Sequence, residues 1–212
     1  MARIISVNPL NPARSEIAEA VRILGTGGIV AYPTETFYGL AADCTNEAAI
    51  EKIFIAKERD EKTPISLIVA IESQIIPLVK TVPESARKLA GRFRSCGITI
   101  LYEASPALSK KLTAGTGKIG IRLSNNAVAS LLAGELGKAI TATSANKAGA
   151  KECVTAQEVA EALGDSIDVI LDGGATPGPP GTTIVDATVE PPQVLREGTV
   201  SRDLILCLSG KT

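Results

Sequence analysis

The chain has 212 residues, of which 45% are hydrophobic and 21% charged, a balance typical of a globular protein with a full apolar core. Its formal net charge of −1 does not predict a nucleic-acid or membrane binder, because such proteins usually carry a basic excess. The absence of histidine excludes a Ser-His-Asp triad, a histidine general base and most catalytic zinc sites, so chemistry must use hydroxyls, carboxylates, lysines, arginines or the substrate's own groups.

Helical and strand periods alternate along the chain. The first half predicts a helix that opens at Asn11-Pro12 with Ile17, Val21 and Leu24 inward, a strand at 29–32, a helix at 46–57, a buried strand at 65–71, a helix at 83–94 and a strand at 97–102. The second half predicts strands at 118–123, 139–143, 169–171, 183–186 and 193–196, helices at 125–136 and 155–163, a Gly/Pro loop at 173–181 and a short C-terminal helix. This order predicts one α/β domain over residues 1–212, a twisted mixed β-sheet with helices on its faces.

The cysteines and the chain start indicate the compartment. Cys44, Cys96, Cys153 and Cys207 form no C-x-x-C pair, so we expect reduced structural thiols. The first residues contain no signal-peptide hydrophobic region, and no apolar run approaches the ~20 residues of a membrane span. The sequence therefore predicts a cytoplasmic protein without a membrane partner.

Polar side chains cluster where predicted elements end. The stretch YPTETFYGL, from Tyr32 to Leu40, places hydroxyls and a carboxylate directly after an apolar strand, although such residues also cap helices. Cations at 57–59 suit a helix C-terminus, and the S-A-N at 144–146 suits a turn. Arg122 lies in an apolar strand and needs either a ligand or a salt-bridge partner. From the residues alone, structural and functional interpretations stay open for each.

Two glycine-rich stretches look like phosphate loops but do not fit the motifs. Gly115-Thr116-Gly117-Lys118 has Leu112 and Ile119 where the P-loop needs Gly and Ser or Thr, and a strand follows it. The stretch at 25–28 follows a helix and precedes a strand, which is the wrong order for a phosphate cradle.

Taken together, the polar stretches resemble the YrdC-like threonylcarbamoyl-AMP synthases in order and spacing, over about residues 12 to 200. The elements that carry the resemblance are Tyr32-Pro-Thr-Glu-Thr-Phe-Tyr-Gly-Leu40, Lys57-x-Arg59, Gly120-Ile-Arg122, Thr143-Ser-Ala-Asn146, Thr182-Thr-Ile-Val-Asp186 and Val194-Leu-Arg-Glu-Gly198. The resemblance implies the YrdC-like fold around a large, positively lined cavity. It also implies the single-domain form, without the extra C-terminal domain of longer members.

The implied reaction is that of an L-threonylcarbamoyladenylate synthase, a nucleotidyltransferase. It joins L-threonine, bicarbonate and ATP into threonylcarbamoyl-AMP and pyrophosphate, for the N6-threonylcarbamoyl modification of adenosine 37 in tRNA. Mg²⁺ would accompany ATP, with no organic cofactor and no protein metal site. Partner proteins of tRNA modification would receive the product.

The resemblance also implies roles for individual residues. The catalytic and ATP-binding residues would be Lys57, Arg59, Ser144 and Asn146, with Thr182 and Arg196 added at the ATP end. The threonine-binding residues would be Thr34, Thr36, Tyr38 and Arg122, where Arg122 pairs with the threonine carboxylate and Thr36 makes the main side-chain contact. Gly39 would let the backbone turn tightly beside them.

The chain departs from the family pattern at several positions. Of the usual W-P-G-P-x-T only Thr99 is present, and Ala148 and Glu152 stand where serines usually follow S-A-N. An alternative is therefore a divergent paralogue with weak or different nucleotide chemistry, or an RNA-binding, ribosome-associated protein. Its basic face, which could equally be a solvated helix surface, would be built from Arg87, Lys88, Arg92, Arg94, Lys110 and Lys111.

Overall fold

The computed structural model describes residues 2–94 and 96–208. The helices are α1 (Arg14–Gly25), α2 (Glu47–Lys57), α3 (Glu84–Phe93), α4 (Lys110–Thr113), α5 (Ala127–Leu136), α6 (Ala156–Leu163) and α7 (Arg202–Leu208), with 3₁₀ turns at Glu72–Gln74 and Ile76–Leu78. The strands are β1 (Arg3–Ser6), β2 (Val30–Tyr32), β3 (Gly39–Ala41), β4 (Ser66–Val69), β5 (Ile98–Glu103), β6 (Lys118–Leu123), β7 (Ile140–Ser144), β8 (Val169–Asp172), β9 (Thr183–Asp186) and β10 (Gln193–Arg196).

The ten strands of the described residues form one mixed sheet in the order β1-β8-β2-β3-β7-β4-β6-β5-β9-β10. The sheet combines parallel pairs such as β4–β6 with antiparallel pairs such as β5–β6. The predicted mixed sheet with helices is therefore confirmed. Elements β1, β3 and α4 were not predicted from the sequence, because β1 is a largely exposed edge strand, β3 has three residues and α4 is a single turn.

Local sequence fixes where several helices begin and end. Asn46 caps α2 by accepting a hydrogen bond from the Ala49 amide, and Asn126 caps α5 in the same way. Thr155 and Glu158 form a capping box at the start of α6. Gly137 ends α5 at φ +71°, a left-handed conformation that glycine adopts without steric cost.

Alternation along the strands sorts the core into two layers. Val30 and Tyr32 face one side of the sheet, where they pack with α1 and α5, whereas Ala31 faces the other side. Helices α1 and α5 contact each other and cover β8, β2 and β4. The described helices leave the same face open farther along the sheet, over β6, β5 and β9. Polar side chains occupy that open part.

Candidate functional site

A cavity of about 460 Å³ lies on the open part of this sheet face. Within the part of the chain that the structure describes, its charged lining residues are three arginines and two glutamates: Arg59, Arg122, Arg196, Glu152 and Glu197. Of the site residues predicted from the sequence, those that line the cavity are Thr34, Thr36, Tyr38, Arg59, Arg122, Ser144, Thr182 and Arg196. Lys57 and Asn146 are not among the described residues that line it.

The hydroxyls of Thr34 and Thr36, which follow β2, have defined donor and acceptor roles. Thr34 Oγ1 donates to the Phe37 carbonyl at 2.6 Å and accepts from the Thr36 amide at 3.1 Å. Its single proton is therefore used, so Thr36 Oγ1 is the donor in the 3.3 Å contact between the two hydroxyls. Thr36 thus presents acceptor lone pairs at the cavity wall, which suits a ligand ammonium or hydroxyl group.

Tyr38 fastens the Gly/Pro loop. Its hydroxyl donates to the Gly174 carbonyl at 2.8 Å and accepts from the Gly173 amide at 3.3 Å. Burial, and then the charge of Asp172, raise the pKa of this phenol, so it stays protonated. The Gly178 amide also donates to the Thr36 carbonyl at 2.7 Å. The loop at 173–181 is therefore tied to the segment that carries the threonines.

Arg59 and Arg196 enter the cavity without a carboxylate partner among the described residues. Arg59 donates to Thr143 Oγ1 at 2.8 Å and to the Pro64 carbonyl at 2.9 Å. Arg196 donates to the Thr182 carbonyl from Nε and Nη2, at 3.1 and 2.8 Å. Burial lowers the pKa of both guanidinium groups. A polyanion in this cavity would stabilise their charged forms.

Arg122 differs because it has a carboxylate neighbour. Its Nε lies 3.1 Å from Glu35 Oε1, although neither atom has a well-directed hydrogen bond. Ser124 Oγ donates to the other oxygen of Glu35 at 2.8 Å. From the sequence, Arg122 could have either a salt-bridge partner or a ligand. In the structure it has a salt-bridge partner and also lines the cavity.

Lys57 is buried behind the cavity. It is 2% exposed, and its ammonium donates to the carbonyls of Ser144 and Asn146, the latter at 2.6 Å. Burial, and then repulsion from Arg59, lower the pKa of Lys57 to about 8. The Asn146 amide group closes its own loop by donating to the Ala150 carbonyl at 2.7 Å. The Ser144 hydroxyl, in contrast, lines the cavity and has no hydrogen-bond partner among the described residues.

The expectation for Gly39 was wrong in its mechanism. Gly39 is the first residue of β3 and pairs with Tyr32 in an antiparallel ladder, so it lies in a strand and not in a turn. A Cβ at this position would lie 3.0 Å from Cζ of Tyr32. Glycine gives room here for the close approach of the tyrosine ring, which a Cβ would push back by a few tenths of an ångström.

Several lining residues escaped the sequence analysis as site candidates. Ser66 and Thr99 are polar residues inside the apolar strands β4 and β5, a pattern that could have marked them. Thr99 Oγ1 lies 3.0 Å from Thr182 Oγ1, so the two hydroxyls form a pair at one wall. Glu152 and Glu197 have no comparable pattern, since each follows other charged or polar residues in a loop.

A second cavity of about 360 Å³ has a separate set of lining residues, and its lysine and its thiol are not available to a ligand. Its cation, Lys138, is already bound to Asp43 Oδ2 at 2.6 Å. Burial raises the pKa of its thiol, Cys44, to about 12, so the thiol stays protonated and unreactive.

The chain is similar to known proteins in both sequence and structure. The family model Sua5_yciO_yrdC, described as "Telomere recombination", matches residues 22–198. The chain is 35% identical to the threonylcarbamoyl-AMP synthase of Bacillus subtilis over 196 residues, which cover 92% of this chain and 57% of that protein. The structure of P. abyssi Sua5 complexed with L-threonine superposes with a TM-score of 0.92 at 33% identity, over 97% of this chain and 60% of that chain.

E. coli YciO superposes with a TM-score of 0.85 at 26% identity, over 95% of this chain and 98% of that chain. The chain therefore spans somewhat more than half of the Bacillus and P. abyssi proteins and nearly all of YciO. No helix within the described residues is long and apolar enough to cross a membrane.

Proposed function

Because the chain belongs to the Sua5/YciO/YrdC family, we propose that it synthesises threonylcarbamoyl-AMP from L-threonine, bicarbonate and ATP. The observation that carries the proposal is the cavity itself. It brings Arg59, Arg122 and Arg196 together with a row of hydroxyls on one face of the sheet. Cations without carboxylate partners favour a polyanion, and hydroxyl acceptors favour a small ligand with N–H or O–H donors.

The chemistry needs no protein nucleophile. The amine of threonine captures CO₂, derived from bicarbonate, as a carbamate and releases a proton. A carbamate oxygen then attacks the α-phosphorus of ATP, the bond to the bridging oxygen breaks, and pyrophosphate leaves. The protein's task is to hold two anions in line and to offset the charge that builds up on the phosphates. A chain without histidine can perform both tasks.

The residues divide between the two substrates. In this proposal, Arg122 binds the threonine carboxylate with its terminal nitrogens and Thr36 accepts from the threonine ammonium or hydroxyl. Arg59, Arg196 and the Ser144 hydroxyl donate to the phosphates. Each of these residues lines the cavity.

In this proposal, other predicted residues support the residues and loops that line the cavity. Lys57 and Asn146 shape the loop that presents Ser144, through the ammonium–carbonyl bonds and the Asn146 amide. Tyr38 fastens the 173–181 loop through its hydroxyl. Thr182 supports Arg196 by accepting from its guanidinium.

The magnesium ion arrives with ATP in this proposal. The described residues contain no group of three or more His, Cys, Asp or Glu that could hold a metal ion. The reaction would take place in the cytoplasm, and proteins of tRNA modification would take up the labile product.

The proposal is tested by pyrophosphate release from Mg·ATP by the purified protein. Release should require both threonine and bicarbonate. Arg122→Gln should abolish the threonine-dependent part, whereas Arg14→Gln, which removes an exposed arginine of α1, should leave it unchanged. Release without threonine, or with a different amino acid, would contradict the proposal and favour a divergent nucleotide chemistry.

The RNA-binding alternative gains no specific support. Of its basic residues, Lys111 is bound to Glu51 and Glu61, while Arg87 and Lys88 each lie 3.9 Å from Glu84. Acidic neighbours of this kind weaken the attraction to phosphates. RNA affinity without pyrophosphate release would reverse this conclusion.

A further inference from the structure

Glu35 is the acidic residue of the YPTETFYGL stretch, and its carboxylate is buried beside the cavity. Its side chain is 12% exposed and that of Arg122 is 9% exposed. Glu35 itself is not among the described residues that line the cavity, whereas Arg122 is. The carboxylate therefore lies behind the arginine and acts on a ligand only through it.

The carboxylate is fixed from its other side. Ser124 Oγ accepts a hydrogen bond from the Asn126 amide at 3.2 Å and donates its proton to Glu35 Oε2 at 2.8 Å. Asn126 caps α5, so the position of Glu35 is tied to the start of that helix. Oxygen Oε1 is left to face Arg122 Nε at 3.1 Å.

This contact determines which edge of the guanidinium stays available. A guanidinium can bind a carboxylate through Nε and one terminal nitrogen, or through its two terminal nitrogens. Glu35 occupies the Nε side, and the terminal nitrogens of Arg122 have no hydrogen-bond partner among the described residues. A ligand in the cavity therefore contacts the two terminal nitrogens of Arg122.

We propose that Glu35 is a positioning residue, which neutralises Arg122 from behind and turns its two terminal nitrogens toward the carboxylate of the amino-acid substrate. The inference rests on the proposed function. A buried arginine without a partner is costly, so loss of the Glu35 charge should release the side chain toward other acceptors or toward water. The cavity would then keep its phosphate-binding cations but lose the oriented contact for the amino acid.

The test is threonine and ATP binding by calorimetry with three variants. Glu35→Gln keeps the size and an acceptor for Ser124 but removes the charge, so it should weaken threonine binding by roughly tenfold or more. ATP affinity should change by less than about twofold, because the phosphate-binding residues are untouched. Glu35→Asp keeps the charge and should recover part of the threonine affinity.

Asp43→Asn is the matched control. Asp43 is a buried carboxylate bound to a lysine, Lys138, outside the cavity, so its loss should lower stability without changing threonine affinity. Normal wild-type binding together with unchanged binding by Glu35→Gln would overturn the role of Glu35 alone. Binding by Glu35→Asp that is as weak as that by Glu35→Gln would overturn the charge argument. A wild-type protein that binds no threonine would overturn the proposed function, and this inference with it.

Discussion

Lys57→Met separates two roles for the buried lysine, a phosphate contact or a support for the S-A-N loop. Its ammonium lies 2.6 Å from the Asn146 carbonyl and also donates to the Ser144 carbonyl. Methionine keeps an unbranched apolar stem of similar length and removes the donor. The Asn146 carbonyl and the part-buried Ser144 carbonyl then lose their charged donor.

Two opposing terms set the expected loss of stability. A hydrogen bond to a charged group contributes about 1.5–3 kcal/mol, so two such bonds contribute about 3–6 kcal/mol. Against this, a pKa lowered from 10.5 to about 8 corresponds to about 3 kcal/mol that disfavours the charged form in the folded state. The bonds at least offset the relief of the buried charge, so Lys57→Met should lower the free energy of unfolding at pH 7 by up to about 3 kcal/mol.

The same residue predicts a pH dependence with a defined sign. Below pH 8 the lysine is protonated in both the folded and the unfolded states. Between pH 8 and 10.5 the lysine binds more protons in the unfolded chain than in the folded protein, so its contribution to the free energy of unfolding should rise with pH by up to about 3 kcal/mol. Lys57→Met lacks this group, so the difference between the two proteins should widen across that range.

Urea denaturation at pH 7, 9 and 10 measures both effects, and ATP binding is measured beside it. Lys147→Met is the control, because Lys147 belongs to the same loop but its side chain is exposed, and its ammonium is bound only to Glu58 among the described residues. The effect of Lys147→Met should stay within about 0.5 kcal/mol. Unchanged stability of Lys57→Met at every pH, with ATP affinity alone reduced, would refute the reasoning and assign the ammonium to the phosphates.

Two further substitutions test the walls of the cavity. Gly198→Ala should destabilise the protein by roughly 1–3 kcal/mol or more in thermal or urea unfolding, because its Cβ would lie 2.1 Å from the Gly181 carbonyl oxygen. As a control, Gly91→Ala in α3 would place a Cβ with nothing within 4 Å and should stabilise the protein by about 0.5–1 kcal/mol. Equal effects of the two substitutions would contradict the packing argument. Thr36→Ala should weaken threonine binding about five- to tenfold in calorimetry and leave ATP binding unchanged. Unchanged threonine affinity would remove Thr36 from the site.

The sequence predicted the regular elements well because their patterns are local. The predicted boundaries of β6, β9 and β10 agree with the structure. The starts of α2 and α6 follow from the N-caps Asn46 and Thr155. Strand β3 could not be predicted, because a strand of three residues next to a polar stretch has no recognisable period. It forms because β2 and β7 pair with it on both sides.

The site was harder to predict, because its geometry depends on residues far apart in sequence. The stretches that bear Arg59, Arg122, Ser144 and Arg196 could be named from the sequence, and the structure brings them to one cavity. The direction in which each side chain points could not be read from the sequence. The ammonium of Lys57, for example, points to loop carbonyls, a contact that depends on a residue 89 positions away.

The most direct test of the central claim is a crystal structure of the protein with L-threonine and a non-hydrolysable ATP analogue. The account predicts the threonine carboxylate on the terminal nitrogens of Arg122 and the triphosphate against Arg59, Ser144 and Arg196. Ligand density in the second cavity near Lys138, or an empty main cavity at saturating ligand, would contradict it.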